Sequence, residues 1–347
     1  MAVFTDVPFA EAAALLARLG AGALERLTGI ASGIENTNYF ADTSEQRLVI
    51  TLFERLGRSE LPFYLELMSH LAARGLPVPR PLAAQSGGRD EREQQEGEKP
   101  ANREGDERDA PRSGANPVGE LVHTLAGKPA AVTVRLPGAP QLQPGAAHCE
   151  AVGATLARLH LEGRDYARQQ PSPRGLPFWS ATVPWLAPLL PAASGALLTD
   201  ELVFQQQLAS SAAYAALPRG ATHGDLFRDN VLFEGERLTG LLDFFFAGTD
   251  TFLFDIAVCL NDWCTTADGR LIEERAAGFV AAYAAVRRLD AEERALLPAL
   301  LRAAALRFWI TRLADVHRPR DASLLTPHDP AHFERILQRR VAEPWQP

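Results

Sequence analysis

The chain has 347 residues, 46% hydrophobic and 22% charged, with a formal net charge of −8. That length gives one large domain or two lobes with a sizeable core, and the acidic balance argues against nucleic acid as the main partner. No apolar run is long enough to span a bilayer, the first residues lack the basic-then-apolar pattern of a signal peptide, and three cysteines without metal-site spacing (Cys149, Cys259, Cys264) read as reduced thiols of a cytoplasmic protein.

The first third reads as a small antiparallel sheet with one main helix. Residues 27–33, 36–42 and 47–53 are short apolar runs parted by turn residues at Ser32-Gly33 and Asp42-Thr-Ser-Glu45. Leu61-Pro62 opens a helix over 61–74, with Phe63, Leu67 and Leu71 at helical spacing, and Gly75, Pro77 and Pro79 stop it. Strands are expected near 121–125 and 130–136. Between them the composition changes: residues 85–117 contain no Val, Ile, Leu, Met, Phe, Trp, Tyr or Cys, and 15 charges of both signs fall between Arg89 and Arg112. Such a stretch buries too little apolar surface to offset its ordering entropy, so a disordered insertion is expected over about 86–117. The remainder is mostly helical, with helices expected over 145–162, 255–264, 271–288 and 291–316 and a hairpin of residues 230–233 and 238–244 turning at Glu234-Gly-Glu236. The predicted fold class is α+β. A β-rich N-terminal lobe (1–137) and a larger α-helical C-terminal lobe (138–347) join near Pro137-Gly138, and ligand sites favour such clefts.

One segment carries chemistry: His223-Gly-Asp-Leu-Phe-Arg-Asp-Asn-Val-Leu-Phe233, followed by Leu241-Leu-Asp-Phe244. The pattern is His-x-Asp, Asn five residues after the Asp, a hairpin, then Asp-Phe. Phosphoryl transfer needs an aligned hydroxyl and neutralised phosphates more than covalent help. Asp225 suits the orienting and proton-accepting role, while Asn230 and Asp243 offer the hard oxygen ligands that Mg²⁺ prefers. Arg228 sits inside the loop, available to phosphate or to a substrate carboxylate, and His223 is expected to buttress the loop. His-x-Asp alone would be an ordinary polar turn; the full spaced set points to an ATP- and Mg²⁺-dependent kinase. Upstream, the turn around residues 30–40 is expected to cover the phosphates, with Ser32, Gly33, Asn36 and Asn38 letting backbone donors approach. Kinases of this kind carry a Lys on the third strand, but Thr51 stands there. With only Lys99 and Lys128 in the chain, Lys128 is either the replacement phosphate cation or a solvated strand end.

The catalytic loop resembles that of the aminoglycoside phosphotransferase and choline kinase superfamily, whose members have a two-lobed protein-kinase-like fold. Together with Leu260-Asn-Asp-Trp-Cys264, Gly29-Ile-Ala-Ser-Gly-Ile-Glu-Asn-Thr-Asn-Tyr-Phe40, Leu61-Pro-Phe63, Gly75-Leu-Pro-Val-Pro79, Gly127-Lys-Pro-Ala130 and Arg174-Gly-Leu-Pro177, it is similar to the bacterial homoserine kinases of that superfamily, in family order from about residue 4 to about 340. The resemblance implies ATP-dependent phosphorylation of L-homoserine on the route to threonine. It also makes Thr51 a family trait and Asp255 a structural pin for the loop. A zwitterionic acceptor needs a cation for its carboxylate and an acid or carbonyl for its ammonium. Asn261 and Asp262 are expected at the ammonium, and Arg312, Arg307 or Arg228 at the carboxylate, with Arg312 and Arg228 preferred. Trp263, Phe308 and Trp309 are expected in the core, and His160 as hydrogen-bonded support. Two other readings stay open: a related kinase acting on an aminoglycoside or choline, and a nucleotide-binding regulator without catalysis.

Overall fold

The computed structural model describes residues 5–30, 35–84, 120–318 and 329–347. The charged segment over 86–117, and Ser32 and Gly33, lie outside the described residues.

The N-terminal part begins with α1 (Phe9–Arg18), a helix the sequence reading did not anticipate. A five-stranded antiparallel sheet follows, made of β1 (Leu24–Gly29), β2 (Asn36–Thr43), β3 (Arg47–Phe53), β4 (His123–Leu125) and β5 (Lys128–Val134), in the order β1-β2-β3-β5-β4. The helix α2 (Leu61–Ala73) connects β3 to the strands beyond. Strand side chains alternate between faces, and here the alternation separates two environments. Leu48, Ile50 and Leu52 of β3 join Tyr39, Ala41, Ala130 and Val132 under Leu15 and Leu16 of α1. Phe53, from the opposite set, packs edge-on against Phe245 of the C-terminal part, at 4.8 Å between ring centroids. The α1 face is therefore the outside of the lobe, and the face bearing Asn38, Thr51 and Phe53 looks towards the cleft.

The chain leaves the sheet through Pro137 and Gly138. Gly138 has φ 100°, and a Cβ there would stand 2.4 Å from the Thr239 hydroxyl and 2.8 Å from the Phe233 carbonyl. The short β6 (Ala139–Pro140) pairs with β8 (Val231–Glu234), itself hairpinned to β9 (Arg237–Leu241). Helices fill the rest: α3 (Ala146–Gly163), α4 (Leu176–Leu186), α5 (Ala192–Ala209), α6 (Ala212–Ala216), α7 (Phe252–Trp263), α8 (Glu273–Val286), α9 (Ala291–His317) and α10 (Ala331–Ala342). Between them, β7 (Arg219–Thr222) pairs antiparallel with β10 (Gly248–Thr251).

The helix α7 is the centre of this part. Every residue from Phe252 to Asn261 is buried, as is Trp263, so its apolar run reads as a buried helix with no polar stripe. At about 1.5–3 kcal/mol per fully buried large apolar side chain, it is a main source of stability. The helix α9 starts at a capping box in which Asp290 accepts from the Glu293 amide at 2.7 Å and Glu293 accepts from the Asp290 amide at 3.1 Å. Cys149, Cys259 and Cys264 are free and buried. Among the described residues no helix is long and apolar enough to cross a membrane.

Candidate active site

Pairing between β7 and β10 creates the site. Thr222 lies opposite Gly248, so the His223–Asp225 loop leaves one strand where the Asp243–Phe246 segment enters the other. Gly224 makes the close approach possible. Its φ is 74°, and a Cβ there would lie 2.7 Å from the Phe246 carbonyl oxygen, a position that demands glycine.

A buried relay holds the loop. Asp255, on α7, accepts hydrogen bonds from the backbone amides of His223 and Gly224, both at 2.6 Å. His160 of α3 meets the same carboxylate at 3.1 Å and the Tyr283 hydroxyl of α8 at 2.7 Å. Burial by itself raises the Asp255 carboxyl, but the His160 hydrogen bond, neighbouring imidazoles and the Gly224 amide outweigh it and hold the group below the usual carboxylate range. Burial pushes the His160 imidazole down against the pull of Asp255. His223 bonds the Leu242 carbonyl through Nε2 at 2.8 Å and accepts from the Asp225 amide at Nδ1, at 3.2 Å. Asp255, His160 and His223 thus occupy the supporting positions expected of them.

Asn230 touches Asp225, and Asp243 lies near enough to feel its charge. Asn230 donates from Nδ2 to the Asp225 carbonyl at 2.8 Å and reaches its carboxylate at 3.4 Å. The Leu242 amide bonds the Asn230 carbonyl at 2.8 Å, which sets Asp243, the next residue, beside Asn230. Asp243 adopts the left-handed conformation, φ 60° and ψ 65°, uncommon for a non-glycine residue and frequent at functional sites. Its side chain reaches solvent at the cleft while protein rings it on its other sides. That enclosure, then the charges of Asp225 and Glu35, push its carboxyl up to about 7. Among the described residues no three His, Cys, Asp or Glu side chains form a metal cluster. The oxygens of Asn230 and Asp243 nevertheless fit Mg²⁺, which binds through one or two protein oxygens plus substrate phosphates.

On the face of the sheet opposite α1, Asn38 accepts from the Thr51 hydroxyl at 2.7 Å, so the position expected of a lysine carries a neutral cross-strand bond. Asn36 begins β2. Lys128 does not belong with them. It shares strand parity with Ala130 and Val132, on the α1 side, and pairs with Glu54, which also accepts from Thr5 at 2.7 Å and Thr37 at 2.6 Å. Strand alternation aims it away from the cleft, against the expectation of a phosphate contact.

The acceptor-side expectations also change. Arg228 and Asp262 meet each other: the guanidinium lies 3.1 Å from the carboxylate and the Arg228 amide donates to it at 2.8 Å, so each neutralises the other. Asn261 is buried, with its amide donating to the Leu301 carbonyl at 2.8 Å and accepting from Arg340 at 3.0 Å. It ties α7 to α9 and α10 and presents no end to a ligand. Arg312 lies over the Phe333 ring at 4.4 Å and donates to the Asp329 carbonyl at 3.2 Å. Trp263, Phe308 and Trp309 are buried, as expected. Of these residues the one that meets Asp225 is Arg307, 3.0 Å from its carboxylate and 3% exposed. It was one of three arginines the sequence left open for the substrate carboxylate, and no local signal set it apart.

A five-stranded sheet set over a helical lobe, with this loop in the cleft between them, defines a phosphotransferase of the protein-kinase-like class. Comparison with known proteins agrees. Residues 26–289 match the phosphotransferase enzyme family, and the chain belongs to that family. It is 52% identical over 346 residues to the homoserine kinase of Polaromonas naphthalenivorans, covering 99% of each chain, and 47% identical over 351 residues to that of Cupriavidus pinatubonensis, covering 99% of this chain and 97% of the relative. Among solved structures it resembles an amicoumacin kinase bound to AMP-PNP, Ca²⁺ and amicoumacin, with TM-score 0.64 at 15% identity over 92% of this chain and 88% of that one. That last likeness speaks for the fold.

Proposed function

We propose that this protein is an ATP-dependent homoserine kinase, transferring the γ-phosphoryl group to the side-chain hydroxyl of L-homoserine to give O-phospho-L-homoserine and ADP, a step towards threonine. The observation that carries the acceptor assignment is the 52% identity to a homoserine kinase across essentially the whole of both chains. An N-terminal nucleotide-binding lobe and a C-terminal catalytic lobe meeting at Pro137-Gly138 belong to the same reading.

In this mechanism Asp225 is the base. One carboxylate oxygen is held by Arg307, and the other accepts the hydrogen bond of the acceptor hydroxyl. As the new O–P bond forms and the bond to the ADP oxygen breaks, the hydroxyl proton passes to Asp225. Asn230 and Asp243 would hold Mg²⁺, which supplies charge neutralisation at the phosphates. Asn230 also fixes the loop through its bond to the Asp225 carbonyl, so substrate base and metal ligand share one rigid unit. Asn36 and Asn38 line the nucleotide side, with Thr51 holding Asn38.

The test is ADP release in a coupled assay with L-homoserine, choline and kanamycin as competing acceptors, with and without Mg²⁺. Homoserine-dependent, Mg²⁺-dependent turnover is expected. Release stimulated by choline or kanamycin in preference to homoserine would reassign the acceptor, and tight ATP binding without turnover on any of them would point to a regulator.

A further inference from the structure

Resting on the homoserine kinase reading, we infer that Arg307 binds the carboxylate of the acceptor, making it the group that restricts the site to amino-acid alcohols. The residue projects from the middle of α9, buried at 3% exposure, yet its ion pair among the described residues is with the proposed base itself, Nη1 to Asp225 Oδ1 at 3.0 Å. That contact uses one of the five N–H donors a guanidinium carries.

Aromatic rings flank the guanidinium. The Arg307 guanidinium carbon lies 3.8 Å from the Phe308 ring centroid and 5.4 Å from that of Phe246. Phe308 packs in turn on Phe227 at 4.3 Å and on Phe333 at 5.1 Å. Stacking of this kind orients the planar fork and leaves its edge for a planar anion. The distances suit homoserine, whose hydroxyl and carboxylate are separated by a three-carbon chain. A hydroxyl bonded to Asp225 brings its own carboxylate to the neighbourhood of a cation lying one hydrogen bond from that same Asp.

The other cations considered for this task are engaged elsewhere. Arg228 is matched by Asp262, Arg312 by the Asp329 carbonyl and the Phe333 face, and Lys128 by Glu54 on the α1 side of the sheet. Arg307 therefore does two things with one fork: it orients the base and it reads the acid end of the acceptor. An acceptor without a carboxylate would forgo the charge-assisted contact to this cation, and a site built to bond such a group discriminates strongly against an analogue that lacks it.

The experiment compares L-homoserine with 3-amino-1-propanol, the same amino alcohol without its carboxylate, on the full-length wild-type protein and on Arg307→Lys and Arg307→Gln. The wild type is expected to prefer homoserine in kcat/KM by about 10²-fold or more. Both variants are expected to lose kcat on both acceptors through the lost hold on Asp225 and, beyond that, to raise KM for homoserine alone, Gln more than Lys, bringing the ratio to within about tenfold, since a point-charge ammonium does not reproduce a bidentate fork. ADP affinity is measured alongside to show that each variant is folded. A ratio that stays at the wild-type value, with both acceptors losing activity equally, would overturn carboxylate recognition and leave Arg307 as a support for Asp225 alone. The wild-type arm stands without the variants: homoserine turnover with no preference over the amino alcohol sinks the inference alone, whereas failure to phosphorylate homoserine sinks the acceptor assignment beneath it.

Discussion

Two acids on either side of the hairpin have opposite electrostatic situations. Asp225 shares its charge with Arg307, whereas Asp243 has Asp225 and Glu35 as acidic neighbours and a carboxyl pushed up to about 7 from an ordinary 3.8. Between those values the folded protein holds a proton the unfolded chain has released. This group's contribution to stability is therefore fully present below pH 3.8 and is lost as pH rises through 7. A bound cation needs the ionised form, so it recovers that loss at high pH. The stabilisation by Mg²⁺ and ADP in a thermal-shift measurement is expected to be larger at about pH 8 than at about pH 6, and Asp243→Asn should remove the difference. Equal shifts at both pH values in the wild type would count against Asp243 as the metal ligand. At Asp225 the expected effect falls on chemistry: Asp225→Ala should lower kcat by about 10²–10⁴-fold, the usual worth of a positioned base, with ADP affinity nearly unchanged. Near-wild-type turnover in that variant would refute its role.

At the level of elements, the catalytic loop is held by helices far away in sequence. Asp255 on α7 takes two loop amides, and His160 on α3 connects that carboxylate to Tyr283 on α8. Removing the imidazole leaves a fully buried carboxylate short of one of its three partners, so His160→Ala is expected to cost about 1–3 kcal/mol of stability, read as a fall in the urea midpoint. His160→Gln, which can donate to the same oxygen, should recover part of it; if both variants unfold at the wild-type midpoint, the relay carries no weight. Gly224 gives a local counterpart. Gly224→Ala puts a Cβ against the Phe246 carbonyl at a φ that favours glycine. It should depress kcat more than it lowers the melting temperature, because the strain falls on the loop that carries Asp225.

For the whole molecule, the described ends of the charged segment meet: the Ala84 amide donates to the Glu120 carbonyl at 3.0 Å. Chain that leaves and returns at neighbouring points can be shortened with little effect on the fold it interrupts. Replacing residues 86–117 with a short Gly-Ser linker is expected to keep homoserine turnover and to raise stability by about 1–2 kcal/mol, the loop-closure entropy of roughly three halvings in length. A large loss of kcat on that deletion would instead give the segment a role in the reaction. The two lobes are coupled through the Phe53–Phe245–Tyr64 aromatic contacts, at 4.8 and 5.9 Å, which join the sheet and α2 to the segment just after Asp243.

Much of this was legible in one dimension because the information was local. The strands over 36–42 and 47–53, the helix at 61–74 and the hairpin carrying Asn230 and Asp243 follow from short-range periodicity and turn residues, and His-x-Asp with its spaced Asn and Asp names the chemistry because those side chains must meet at fixed separations. The helix α1 was missed because its apolar face has meaning only once the outer side of the sheet exists to receive it. Tertiary packing alone decided which charges were free. Lys128 turned from the cleft through strand parity, Arg228 and Asp262 cancelled each other across 34 residues of sequence, Asn261 was spent inside the core, and Arg307 came to Asp225 across 82. A side chain's type is written in the sequence, but its partner depends on which long-range contacts bury it, and burial is what turns a common surface arginine into a fixed cation beside Asp225.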